Sequence, residues 1–368
     1  MRWAVHLKVD GVRQVHLAPR TVVAGRDPGC ALRVGDLTAS RRHCRFTIAP
    51  PAVRVHDLGS RHGTHVNGVP VDEHDLADGD EVRIGSTIVR IAVTPAQFAG
   101  YTLEKELGGG AQGTVFLARH ANSGPAAVKV LHDMTPQTAA LLIREVTAMR
   151  ALRHPNIVPL LDAGTEPVPF LVSSYCDGGS IEESGKQPLV EAVRIIRDVL
   201  TGLAHAHSAE VPGVRLADGT TRSARGIVHR DVKPQNVLLH GGVARLADFG
   251  LAKAFDLAGL SEHTRTGEVG GSLGFMPRAQ ILNYRYAPPS VDVWACAATL
   301  YWMLTGTTPR DFPAGADPVA VVLREPAVPI RAREPALPAR LAAAVDEVLT
   351  EDEPVSAERF RDMLIEAG

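Results

Sequence analysis

The run His229-Arg230-Asp231-Val232-Lys233-Pro234-Gln235-Asn236, with Asp248-Phe249-Gly250 seventeen places after Asp231, constrains this chain more than any other feature. Asp231 and Asn236 stand in D-x-x-x-x-N spacing. A carboxylate so placed can orient a hydroxyl and accept its proton, and an amide oxygen a turn later can bind a divalent cation. Asp248 offers a second hard oxygen ligand just before a flexible glycine. A cation such as Mg2+ takes few of its ligands from protein, so two suffice. A chance match to both at this separation is negligible.

Upstream, Leu107–Val115 reads LGGGAQGTV, with Gly108, Gly110 and Gly113 in G-x-G-x-x-G spacing. Glycine lets a backbone approach phosphate oxygens with no side chain in the way. By itself the pattern equally fits a dinucleotide site or a plain glycine turn. A dinucleotide site expects a helix directly after the glycines, whereas Val115–Ala118 reads as a strand, which suits a hairpin lying over a nucleotide. Sixteen residues after Gly113, Lys129 ends the apolar run Ala126-Ala127-Val128. It is either a solvated strand end or the lysine for the α- and β-phosphates. Glu145, sixteen residues further on in a helical run, is the candidate partner for that lysine, against the plainer reading of one solvated helix acid.

With these residues in view, residues 101–366 resemble the bacterial branch of the eukaryotic-type Ser/Thr protein kinases. The resemblance implies a bilobal α+β fold and transfer of the ATP γ-phosphoryl group to protein Ser/Thr hydroxyls, with Mg2+ or Mn2+. By position it implies that Lys129 pairs with Glu145, that Asp231 is the catalytic base, and that Lys233 neutralises the transferring phosphoryl group. Asn236 and Asp248 would bind the metal. Leu107, Gly108, Gly110, Gly113, Val115, Ala127, Lys129, Leu238 and the hinge residue Cys176 would contact ATP. Asp292 would brace the catalytic loop, and Arg230 implies control by activation-loop phosphorylation, with Thr264 and Thr266 the nearest acceptors. Three departures stand out. Ser173 occupies a gatekeeper position that is usually bulkier, and 210–225 is an insertion before the catalytic loop. The family's Ala-Pro-Glu is Pro277-Arg278-Ala279, and Glu353 stands where its arginine partner is expected, so both halves of that ion pair are expected to be absent.

The first 93 residues read as all-β: short β-rich runs separated by turns such as Asp10-Gly11, Asn67-Gly68 and Asp78-Gly79. Spacing of this kind suggests a sandwich. Gly25-Arg26, Ser40-Arg41-Arg42-His43, Asp57-Leu58-Gly59-Ser60, Gly63-Thr64-His65-Val66-Asn67-Gly68 and Asp78–Gly85 occur in order, and on them residues 1–93 resemble a forkhead-associated (FHA) domain. The resemblance implies phosphothreonine binding through Arg26, Ser40 and Arg41, with His43 and Asn67 shaping the loops. Guanidinium groups supply the charge-assisted contacts that a phosphate needs. His62 replaces the asparagine that contacts the bound peptide in the family, which bears on affinity and sequence preference. Residues 94–100 (TPAQFAG) read as a linker.

The expected fold is therefore multi-domain: an all-β FHA sandwich, then a bilobal α+β kinase. Expected partners are protein substrates and phosphothreonine-containing proteins, a second copy of the chain included. With 39 basic against 41 acidic residues, bulk charge points to neither nucleic acid nor an acidic membrane. No window is a plausible membrane span; Val291–Leu304 comes closest and reads better as a buried core helix. Four cysteines without CxxC pairing fit a reducing, cytoplasmic setting. The competing reading is a pseudokinase scaffold that only binds phosphopeptides. Retention of Lys129, Glu145, Asp231, Asn236 and Asp248 argues against it, and the altered 277–279 segment is its one support.

Overall fold

A computed structural model of the chain describes residues 2–9, 12–17, 19–110, 113–131, 139, 146, 150, 152–166, 168–215, 221–249 and 273–367. They form two compact units. One holds the described residues of 1–133 and 164–172, the other those of 134–163 and 173–368.

The first unit opens with two β-sheets. One runs in the order Val12–His16, Trp3–Val9, Thr87–Pro95, Glu81–Ile84, Thr64–Val66, Val69–Val71. The other runs Leu32–Arg33, Arg20–Gly25, Cys44–Ala49, Ala52–Asp57, Glu73–Leu76. Strand Cys44–Ala49 shows why they stack: Cys44, Phe46 and Ile48 are buried while Arg45, Thr47 and Ala49 are exposed, the period of two that gives a strand one apolar face. Those faces meet in a single core around Leu7, Phe46, Ile48 and Ile91. Asn67 and Gly68, at φ 50 and 86, make the tight turn between Thr64–Val66 and Val69–Val71. Asn-Gly is favoured there because both positions need positive φ.

Most of a further six-stranded sheet lies in the same unit; its order is Gln97–Phe98, Tyr101–Gly110, Gly113–His120, Gly124–Leu131, Phe170–Ser174, Leu160–Gly164. Residues 94–100, expected as a linker, are built into both sheets. Thr94 and Pro95 finish the strand from Thr87, and Gln97–Phe98 pairs with Thr102 and Tyr101 across a turn at Ala99 and Gly100. The cause is apolar alternation: Ala96 and Phe98 are each 1% exposed, and the Phe98 ring meets Phe170 edge-on at 5.2 Å.

The second unit is mainly helical. Its core is built on Leu189–Ser208, Ser290–Thr305, Ala339–Leu349 and Ala357–Ala367. Helix Ser290–Thr305 buries all of Val291–Leu304 except Trp302, and Gly306 ends it at φ 82. Among the described residues no helix is long and apolar enough to cross a membrane. The insertion forms a hairpin, Glu210–Arg215 against Thr221–Arg225. Its two ends are closed by Gly226 N–H on the Ala209 carbonyl (2.9 Å) and Ile227 N–H on the Ala206 carbonyl (2.9 Å). The chain therefore leaves helix Leu189–Ser208 and returns at Gly226 and Ile227 to nearly the same point.

Candidate active site and phosphopeptide site

In the second unit the run at 229–236 hangs on one buried carboxylate. Asp292, 1% exposed, accepts from His229 N–H at 2.8 Å, Arg230 N–H at 2.7 Å and His207 Nε2–H at 2.8 Å. Three charge-assisted bonds hold Arg230 at φ 68, a conformation that costs a non-glycine residue energy unless its surroundings impose it. His229 is fully buried. Its Nε2–H donates to the Ala247 carbonyl at 2.7 Å, its Nδ1 accepts from Asp231 N–H at 3.2 Å, and its ring meets Phe249 edge-on at 4.7 Å. One imidazole thus joins the run at 229–236 to the run at 248–250, of which Gly250 lies outside the described residues.

The side chains that matter for chemistry follow. Asn236 Nδ2 donates to the Asp231 carbonyl at 2.7 Å and to Asp231 Oδ2 at 2.9 Å. Lys233 Nζ lies 2.9 Å from Asp231 Oδ1. Asp231 is therefore gripped from both sides. With its amide nitrogen committed to Asp231, Asn236 keeps its Oδ1 as an acceptor. Ala247 N–H bonds the Asn236 carbonyl at 2.8 Å, and the next residue, Asp248, is exposed at φ 57. Amide and carboxylate oxygens are the donor set that suits Mg2+. Cys176 is buried, and burial pushes its thiol up. The strand carrying Leu238 is tied to the hinge run: Gly178 N–H bonds the Leu239 carbonyl at 2.9 Å, and Leu239 N–H bonds the Gly179 carbonyl at 2.9 Å.

In the first unit Gly108, Gly109 and Gly110 pair with Val115, Thr114 and Gly113 across the glycine hairpin. A Cβ on Gly113 would sit 2.4 Å from the Val130 carbonyl oxygen, so packing demands glycine there. A Cβ on Gly108 would meet nothing within 4 Å. Protein packing does not explain that second glycine, and the close approach of a ligand would. Val115 faces Lys129 and Leu117 faces Ala127 on the neighbouring strand. Ala126, Val128 and Val130 are buried in the core, so Ala127 and Lys129 share the opposite, half-buried face. Leu107 is 42% exposed beside the hairpin. Glu145, Thr264 and Thr266 lie outside the described residues.

The sandwich gathers Arg26, Ser40 and Arg41 at one end. Arg26 N–H bonds the Ser40 carbonyl at 3.1 Å and Asp27 N–H the Arg41 carbonyl at 3.0 Å. A Cβ at Gly25 would come within 2.2 Å of the Arg41 carbonyl oxygen, so glycine lets the two loops close. Ser40 Oγ accepts from Arg61 N–H at 3.0 Å, which leaves its hydroxyl proton to give. Buried His43 bridges the loops: Nδ1 accepts from Ser40 N–H at 3.1 Å and Nε2–H donates to the Gly63 carbonyl at 3.2 Å. Burial lowers its pKa, consistent with this neutral tautomer. Asp57 knots the next loop by accepting from Ser60 and Thr64. Burial pushes its carboxyl up, but these bonds outweigh burial and hold it below the usual range.

One expectation needs correction. The ion pair thought absent near Pro277-Arg278-Ala279 is present, made by other residues. Arg310 Nη2 lies 2.8 Å from Glu351 Oε1. Glu351 accepts from Arg278 N–H (3.2 Å) and Ala279 N–H (3.4 Å), while Glu353 is exposed. Neither Arg310 nor Glu351 belongs to a motif, and no local signal marks them. His207 and Gln280, whose Nε2 donates to the Arg230 carbonyl at 2.7 Å, also carried no signal of their own.

The second unit thus holds a gripped carboxylate beside hard oxygen ligands, and the first unit, by itself, a glycine hairpin followed by a strand lysine. The protein kinase domain model matches residues 101–333 and the FHA domain model residues 22–85. The chain belongs to the protein kinase family and carries an FHA domain. It is 32% identical over 271 residues to the serine/threonine-protein kinase PknJ of Mycobacterium tuberculosis, covering 69% of this chain and 42% of that one. It is 30% identical over 287 residues to the serine/threonine-protein kinase Pkn1 of Myxococcus xanthus, covering 74% and 39%. The chain thus spans about two fifths of the length of these relatives. The crystal structure of Rad53 1-466 in complex with AMP-PNP matches over 99% of both chains with a TM-score of 0.56 and 20% identity, a likeness of fold alone.

Proposed function

We propose that the chain is an ATP-dependent Ser/Thr protein kinase whose FHA module recruits phosphothreonine-containing proteins. The observation that carries the reading is the grip on Asp231: Lys233 Nζ and Asn236 Nδ2 each stand 2.9 Å from its carboxylate. Asp231 orients the substrate hydroxyl and takes its proton as the hydroxyl oxygen bonds to the γ-phosphorus and the bond to the ADP leaving group breaks. Lys233 offsets charge on the transferring group. Asn236 and Asp248 would hold Mg2+ or Mn2+, which when bound offsets charge on the phosphate oxygens. Lys129, with Glu145, aligns the phosphates under Gly108, Gly110 and Gly113. Leu107, Val115, Ala127, Cys176 and Leu238 are the proposed adenine contacts. Arg26, Ser40 and Arg41 bind the phosphothreonine, and a copy of the chain phosphorylated at Thr264 or Thr266 is one such ligand. A cytoplasmic setting is supported by Cys30, Cys44, Cys176 and Cys296, all free and buried.

The test is transfer of labelled phosphate from ATP to a generic Ser/Thr peptide by the natural chain and by Asp231→Asn. Loss of about a hundredfold or more in the variant is expected. Equal transfer by both would overturn the reading, and no transfer by either would favour a phosphopeptide-binding scaffold.

A further inference from the structure

The first strand of the sandwich carries on into the nucleotide sheet. Arg2, just before strand Trp3–Val9, donates its N–H to the Leu103 carbonyl at 2.8 Å and accepts from Ala96 N–H at 2.9 Å. Leu103 N–H in turn bonds the Ala96 carbonyl at 2.9 Å. Three segments, one from the start of the sandwich, one from the former linker and one from the glycine-hairpin strand, are stitched backbone to backbone. Beneath the stitch, Ala4, Ala96 and Phe98 share one core with Leu103, Phe116 and Val128.

The Arg2 side chain reaches further. Its Nη2 lies 3.2 Å from Glu106 Oε2, and its guanidinium sits 5.2 Å from the centroid of the Phe116 ring. Glu106 and Phe116 are cross-strand partners at the root of the glycine hairpin. The register slips between Glu106 and Gly108, so the irregular step that places Leu107 lies directly beyond the residue Arg2 holds. An irregular step lacks a ladder bond to define it, and a charge pair plus a cation over an aromatic face supplies an external constraint.

The far end of the sandwich is turned the other way. Strand Thr87–Pro95 has Pro95 opposite Trp3 at the stitched end and Thr87 opposite Ile84 at the other. Ile84 is opposite Thr64, in the loop region that carries His62 and Gly63. Nine residues at about 3.3 Å each separate the two ends by about 30 Å.

We infer that Arg2 is a positioning residue for the glycine-rich hairpin, and that the phosphothreonine-reading sandwich is a fixed cap on the ATP-binding sheet with its reading end directed away from it. The FHA module thereby contributes to nucleotide binding without touching nucleotide. This rests on the reading of Gly108–Gly113 as the ATP phosphate loop.

The test uses the full chain and measures direct binding of a fluorescent ATP analogue, KM for ATP, kcat on a generic peptide, the melting temperature and the affinity for a phosphothreonine peptide. Arg2→Ala and Glu106→Gln should each weaken analogue binding and raise KM for ATP about fivefold, with kcat and phosphopeptide affinity within about twofold. Combining Arg2→Glu with Glu106→Arg should bring KM back towards the natural value, whereas Arg2→Glu alone should not. A purely structural role would lower the melting temperature without separating KM from kcat, and would show no rescue by the exchange. Unchanged nucleotide affinity in both single variants overturns the inference while leaving the ATP site intact. Failure of the natural chain to bind the analogue at all overturns the inference together with the reading it rests on.

Discussion

Arg310 and Glu351 form a buried ion pair, 2.8 Å apart with side chains 1% and 16% exposed, where the motif acid and its partner base are both missing. The pair is well satisfied. Arg310 Nε donates to the Glu325 carbonyl at 3.0 Å, Nη1 to the Met276 carbonyl at 3.1 Å, and the guanidinium stacks 4.7 Å from the Trp294 ring. Burial lowers the pKa of Arg310, with Glu351 opposing the shift. Through Glu351 the pair holds the backbone at Arg278 and Ala279, which start the helix Arg278–Leu282. Gln280 of that helix bonds the carbonyl of Arg230, next to Asp231. Glu351, Arg278, Ala279, Gln280 and Arg230 thus connect the ion pair to the backbone beside Asp231.

Breaking this pair from one side should be costly. Arg310→Met or Glu351→Met alone leaves a buried charge without its partner, and a loss of about 3–5 kcal/mol in unfolding free energy is expected. The double variant should recover most of it, since two apolar side chains of similar volume carry no desolvation cost. Denaturant unfolding of all four forms measures the coupling. Additive losses would mean that the two charges act separately.

The same variants bear on how far the sequence could be read. Asp231, Asn236, Asp248 and Lys129 stand out in the sequence because phosphoryl transfer calls for such residue types at set spacings, and Asp292 only because the family resemblance implies a brace at its position. Glu351 does not stand out. It lies 41 positions from Arg310, and positional reasoning chose Glu353 because it could not see the left-handed backbone at Glu351, φ 62, that turns that side chain inward. The seam at 94–100 was obscured by composition. Thr, Pro and Gly signal a turn, and only the alternation of Ala96 with Phe98 hinted at a strand. The sandwich itself was legible, because its turns carry Asn-Gly and Asp-Gly and its strands alternate.

Asp292→Asn keeps the size of the buried anchor and removes its charge. One amide oxygen then replaces two carboxylate oxygens that serve His229, Arg230 and His207. The strained φ at Arg230 loses its support, and kcat should fall about 10- to 100-fold, the equivalent of about 1.5–3 kcal/mol for bonds to a charged group. KM for ATP should change less. Steady-state kinetics on a generic peptide reads both, and an unchanged kcat would show that the loop holds itself.

Low pH should loosen the sandwich. His16 is lowered to about 4, chiefly by burial and secondarily by Arg20, and His43 is lowered by burial from the same ordinary value of 6.5. Both are neutral in the fold and gain protons on unfolding. Their contribution to stability is therefore complete above pH 6.5 and declines as pH falls from there towards 4. Thermal melts of the full chain between pH 8 and 5 should show this decline, and His16→Gln should flatten it. A melting temperature independent of pH in that window would contradict the assignment of both imidazoles as neutral.

Ser173, half-buried behind the buried run Phe170–Val172, is small for its position before the hinge. The chain should accept ATP analogues and inhibitors enlarged at the adenine amino group, and Ser173→Met should exclude them. Dose–response curves for one such compound on both forms settle it, and equal potency would show that another side chain already fills the space.

The reading end of the sandwich decides how the two functions meet. Arg26 and Arg41 are exposed and Ser40 half-buried, at the end of the sandwich about 30 Å along strand Thr87–Pro95 from the stitched seam. A phosphothreonine on the nucleotide sheet of the same molecule is out of reach of that end, and the proposed ligand, a second copy of the chain, has a direct test. A full-length Asp231→Asn chain on beads, unable to phosphorylate, should capture the natural chain after incubation with ATP. Capture should vanish when the natural chain is first treated with phosphatase, and when Arg26→Ala is added to the bead-bound copy. Arg26→Ala in the free chain should leave phosphorylation of a generic peptide within about twofold, because the residue lies outside the catalytic machinery. Thr264→Ala and Thr266→Ala in the free chain then ask which phosphothreonine is read. Capture that survives both phosphatase and Arg26→Ala would exclude phosphate recognition as the link. If a pocket with Arg26 intact captures nothing, while a panel of phosphothreonine peptides also fails to bind, the exposed His62 becomes the residue to restore to asparagine.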